Sequence, residues 1–204
     1  MLARRRAVDM TVREEPRLAA PGAGLPVPEL VASRCLLTLM RWTGSRRSFD
    51  ARFARERGRI ARLVRDCDAE AGSRRVLIRR IPGLEDSSRY WSVWMTLDHL
   101  RIVNESIASL IGELVRGVTP AGAASIAAVK PSVAAGPEVV ASYEASCAAL
   151  AEVVAVSPTL STAVRFPHPW FGPLDAAAWH ALAGVHMGIH RGQIERILAH
   201  PAGR

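Results

Sequence analysis

Apolar residues recur at helical spacing in successive stretches that account for most of the chain. The first begins near Glu29 and runs through Leu30, Val31, Cys35, Leu36, Leu39 and Trp42, stopping around Gly44 and Ser45. The second covers roughly residues 49–70, with Phe53, Ile60, Leu63, Val64 and Cys67 at helical intervals; Gly58 is where it would divide. Residues 75–81 read as a short extended piece ended by Pro82 and Gly83. Asp86, Ser87 and Ser88 offer cap chemistry for a long helix placed at about 88–116. The Ala/Gly/Pro-rich residues 117–137 are a connection, and Pro137 and Glu138 start a helix that continues to about Val156. The run Phe166-Pro167-His168-Pro169-Trp170-Phe171-Gly172-Pro173 reads as a rigid loop. Asp175 is then the N-cap of a last helix over about 176–198.

Four long helices with extra pieces and no fixed-period repeat predict an all-α bundle. It occupies residues 28–200. Residues 1–27, which mix arginines with the Pro/Gly-rich PGAGLPVP, form an additional N-terminal segment, either a flexible arm or a packed extended one.

Composition narrows the function classes. At 204 residues and 49% hydrophobic, the chain suits one domain with a sizeable core. The most apolar region, around 121–140, is interrupted by Lys130, Pro131, Gly136 and Pro137, so no membrane span is expected. The N-terminus has charges but no apolar h-region, so a cytoplasmic location is the default. The net charge of +8 is uneven: residues 1–80 hold 19 basic and 9 acidic side chains. These arginines alternate with acids and apolar residues, as in Arg52, Arg55, Glu56, Arg57 and Arg59, which describes a solvated helix face rather than a nucleic-acid surface. Every basic residue but Lys130 is arginine. The cysteines, Cys35, Cys67 and Cys147, are far apart and fit reduced, mostly buried thiols.

The most informative chemistry is in the last helix, where His186 and His190 stand four residues apart and therefore on one face. Two imidazoles on adjacent turns can share a divalent cation. The plain alternative is two helix histidines, one packed and one solvated. A third ligand belongs on the core face of another long helix, where His99 shares an apolar stripe with Met95, Ile102, Val103, Ser106 and Leu110. On the last helix Trp179, Ala183, His186, His190, Gln193 and Ile197 fall on one stripe, whereas His180 falls off it and reads as a surface residue. Asp98 is turned 100° from His99, and Asn104 and Glu105 are expected nearer solvent.

The aromatic-rich helix carrying Leu97-Asp98-His99-Leu100, and the C-terminal His186-x-x-x-His190-Arg191-Gly192-Gln193-Ile194, resemble the DinB-like family of helical-bundle proteins. The segment 167–174 resembles an uncharacterised subgroup of it. The resemblance covers roughly residues 30–200. It implies a DinB-like four-helix bundle with a divalent metal held by His99, His186 and His190: zinc first, with nickel, iron or manganese also suited to a nitrogen-rich site. It further implies metal-assisted thiol transfer, with a low-molecular-weight thiol such as bacillithiol or mycothiol, or hydrolysis of a small-molecule substrate. The competing class is a non-catalytic bundle with a structural or vestigial metal. His168 is a candidate fourth ligand or proton donor, or a structural residue of its Pro-His-Pro turn. Gln193 is a candidate for orienting a ligand or substrate, or for helix packing. Trp91, Trp94 and Trp170 either line a pocket or pack the core. A homodimer is compatible with such a bundle, but no exposed heptad seam requires one.

Overall fold

Short polar side chains start four of the helices. Ser45, Asp68, Ser92 and Asp175 each accept a hydrogen bond from the backbone N–H three residues on, satisfying a donor that has no partner within the helix. The computed structural model describes residues 15–201; the first half of the expected N-terminal arm lies outside the described residues. Within them are α1 (Val27–Thr43), α2 (Arg46–Arg65), the short α3 (Ala69–Ser73), β1 (Val76–Leu77), β2 (Tyr90–Trp91), α4 (Val93–Val115), α5 (Val139–Val156), β3 (Phe166–His168), β4 (Gly172–Leu174) and α6 (Ala176–Ala199).

These elements form a four-helix bundle. α4 packs on both α5 and α6, α2 packs on α6, and α1 lies against α6 from outside. The Arg57–Glu144 ion pair links α2 to α5 and closes the ring. Ile60, Leu97, Leu100, Ile111, Leu150 and Ile194 are essentially inaccessible at its centre. The two sheets are antiparallel pairs at the bundle's margin: β1 with β2, and β3 with β4.

Several boundaries differ from expectation, each for a local reason. α2 is not divided at Gly58, and it stops at Arg65 rather than near Glu70 because Asp68 caps a separate helix, α3. Asp86–Ser88 form only a single 3-10 turn; α4 starts later, capped by Ser92. The run read as a rigid loop is a β-hairpin over 166–174, with Gly172 at φ +70° where L side chains are disfavoured. Asn104 and His180 are buried instead of exposed.

Residues 15–26 form neither helix nor strand; most are exposed and Leu25 is buried. The N–H of Ala19 donates to Asp86 and that of Gly22 to Glu85, both at 2.8 Å. α1 forms as its spacing predicts, yet only Leu37 is buried, and Val27, Val31, Leu36, Leu39 and Trp42 are exposed. By length and composition alone α5 is long and apolar enough to cross a membrane, a run that the reading of residues 121–140 did not cover. In the bundle its Tyr143, Cys147, Leu150 and Val154 are buried, while Glu144 and Glu152 lie on the same helix.

Candidate metal centre

Antiparallel packing of α4 on α6 sets His99 opposite the His186–His190 pair. Ring centroids lie 5.0 Å apart for His99–His186, 4.6 Å for His99–His190 and 4.5 Å for His186–His190. One ring nitrogen from each of the three lies within 4.8 Å of the other two. The Nε2 atoms of His99 and His186 are 3.1 Å apart. Two imidazoles on a tetrahedral zinc, with Zn–N near 2.0–2.1 Å, would be separated by about 3.3 Å.

Hydrogen bonds decide which nitrogens face inward. His99 Nδ1 lies 2.6 Å from the Val129 carbonyl, which can only accept, so Nδ1 carries the proton and Nε2 presents a lone pair. Gln193 does the same for His190. Its amide nitrogen donates to the Ser88 carbonyl at 2.8 Å, which turns Oε1 toward His190 Nδ1 at 2.7 Å. Nδ1 must then be the donor, leaving His190 Nε2 free as a lone pair. His186 Nδ1 is buried with no hydrogen-bond partner. The inward side thus offers the Nε2 lone pairs of His99 and His190, donors suited to a divalent cation.

Electrostatics agree with this protonation. Burial pushes His99 down from 6.5 to about 4, and it pushes His186 and His190 well below the ordinary histidine value, reinforced by the neighbouring imidazoles. All three are neutral at pH 7, the form that binds metal. Trp91 stacks on His190, with centroids 6.0 Å apart and planes 10° from parallel, and also lies 5.1 Å from His99.

A model of the DinB superfamily matches residues 52–194. The chain belongs to the DinB superfamily. The matched span includes all three histidines and Gln193. The crystal structure of TT2238, a four-helix bundle protein, is similar at 22% identity and a TM-score of 0.55, covering 74% of this chain and 98% of that one. No match was found among curated proteins. This DinB-superfamily chain therefore has the bundle that its resemblance implied, with His99, His186 and His190 brought together.

The remaining candidates separate in this DinB-superfamily bundle. Gln193 is wholly buried and orients His190 through its amide. His168 stands outside the cluster: its Nδ1 accepts the Trp170 N–H at 3.0 Å, holding the hairpin turn, and burial lowers it to about 4. It nevertheless lines the same cavity as the triad. Asp98 does not face the cluster; it accepts from the Ser132 N–H at 2.8 Å and from Arg101, tying the connection before α5 to α4. Trp170 lines the cavity, whereas Trp94 is buried against Gly72. Val129 was not foreseen as a site residue, since its contribution is a backbone carbonyl, which leaves no mark in the side-chain pattern. Lys130 beside it did carry a signal, as the lone lysine: it sits 5.1 Å over the Trp91 ring and donates to Ser87 and Ser88 at 2.6 and 3.1 Å.

Proposed function

We propose that the chain is a divalent-metal enzyme in which His99, His186 and His190 hold the ion, and that it promotes nucleophilic chemistry on a small molecule. Thiol transfer and hydrolysis are the reaction types in view. The observation that carries this reading is the placement of three converging imidazoles in the wall of a 690 Å³ cavity. A purely structural zinc site is closed by a fourth protein ligand, and among the described residues only three side chains cluster here.

The residues divide the work. Val129 and Gln193 hold two of the imidazoles in the tautomer that offers Nε2 inward. Neutral ligands leave the full charge of a bound cation, which lowers the pKa of a water or thiol and so supplies a nucleophile at neutral pH.

Elemental analysis of untagged protein purified without chelator tests this. About one metal per chain is expected, and its loss in His99→Ala and in His186→Ala. Equal metal content in wild type and variants would overturn the assignment. Metal retained in a form with no exchangeable water would instead favour a structural ion.

A further inference from the structure

The cavity beside the triad is long rather than round. On α4 its wall climbs from His99 through Val103 and Ile107 to Leu110, eleven residues, or about 16 Å at the helical rise. On antiparallel α6 the facing wall is Val185, Leu182 and Trp179. At the triad end Glu85, Ser88 and Lys130 join the three histidines, while Ser106 and Ser109 on α4 and His168 on the β3–β4 hairpin also line the cavity. Two carboxylates also border the space: Glu105 is half exposed and bonded by Arg101, and Glu113 lies beyond Leu110 at the far end. Between the two ends Val103, Ile107 and Leu110 of α4 and Val185 and Leu182 of α6 border the space, together with Trp179, whose buried indole N–H has no partner among the described residues.

We propose that this site takes an extended amphiphile, with a hydrocarbon body along the α4–α6 channel and a polar head at the triad. The part concerning the head rests on the reading of the triad as a metal site; the part concerning the body does not. Hydroxyls of a sugar-bearing thiol set against Val103, Ile107 and Leu182 would go unpaired, at a cost for each that water does not impose, and only those directed at Ser106, Ser109 or the Trp179 indole would find partners. A hydrocarbon chain instead gains affinity with every methylene placed there, about fourfold per CH₂ while the channel still has room. The cavity's 690 Å³ lies within the usual range for sites that bury most of a small ligand.

Straight-chain carboxylates are suitable probes: butanoate, octanoate and dodecanoate, titrated into the full chain by intrinsic fluorescence of Trp170 and Trp179, with zinc content measured on the same sample. Dodecanoate should bind at least about tenfold more tightly than octanoate, and octanoate more tightly than butanoate. Leu110→Trp shortens the channel at its far end, so it should weaken dodecanoate by about tenfold or more while octanoate binding persists, which also shows that the variant is folded. Equal affinity across the series overturns the proposal, as does dodecanoate binding that is insensitive to Leu110→Trp but abolished by Trp42→Ala, which would place the ligand on the exposed face of α1. The two readings fail separately. A zinc-free sample that keeps the chain-length series removes the metal alone, and a zinc-loaded sample with a flat series removes the channel alone.

Discussion

Replacing Gln193 with methionine should damage stability and metal affinity together, by amounts that follow from its two hydrogen bonds. Gln193 is 0% exposed, and methionine is close enough in shape to leave little cavity. The substitution strands the His190 Nδ1–H and the Ser88 carbonyl, both bonded only through this amide at 2.7 and 2.8 Å. Each buried group left unpaired costs about 1–3 kcal/mol, so the metal-free protein should lose roughly 3 kcal/mol in urea unfolding. His190 is then free to take either tautomer, and loss of such an orienting partner typically weakens metal binding about 10–100-fold. Competition of zinc between the protein and a chelator reads that second effect. Gln193→Glu separates the two. Its carboxylate still accepts from His190 and should keep most of the zinc affinity, yet it loses the donor to Ser88 and puts a charge into the core. If Gln193→Met bound zinc within about twofold of wild type, the claim that this amide orients His190 would be wrong.

Three further outcomes are expected. His168 is held neutral by burial at about 4 against 6.5 in the unfolded chain, so its contribution is complete above pH 6.5 and is lost as pH falls toward 4, by on the order of 3 kcal/mol. His168→Phe should flatten that part of the stability–pH curve, and an unchanged curve would argue that the imidazole is hydrated. Gly72→Ala sets a methyl inside the Trp94 indole and should cost about 1–3 kcal/mol by thermal unfolding; a neutral result would mean the α3–α4 contact is loose. Asp175→Ala removes the α6 cap and the partner of Arg41, for a loss of about 1–2 kcal/mol, whereas Asp175→Asn should lose less because the cap to Ala178 at 2.8 Å survives.

What the sequence alone determined was whatever depends on angle around a helix. His186 and His190 share a face by their spacing and the α6 stripe turns inward as the wheel predicts; on α4 Met95 and His99 are buried, but Ile102, Val103 and Leu110 of the same stripe are half-buried and Ser106 is exposed. The helix start at Asp175 was legible too, because cap chemistry is local, whereas Ser45, read as the end of the first helix, proved to be the cap of the second. The error at Ser88 shows the limit: Ser88 and Ser92 offer the same hydroxyl, and the pairing of β1 with Tyr90–Trp91 holds the chain extended until Ser92. Periodicity gives the direction in which a side chain points but not what covers that direction. The apolar residues of α1 accordingly stand mostly exposed despite their helical spacing, whereas His180, off the stripe of α6, is buried beside Asp50 on α2. Tertiary packing alone decided the features that make the triad a site. The Val129 carbonyl comes from a segment with no side-chain signal, Ser88 fixes the amide of Gln193 across 105 residues, and the channel exists only because α4 and α6 run antiparallel at that separation. These are relations between elements distant in sequence, set by the burial of the whole core, and no local pattern encodes them.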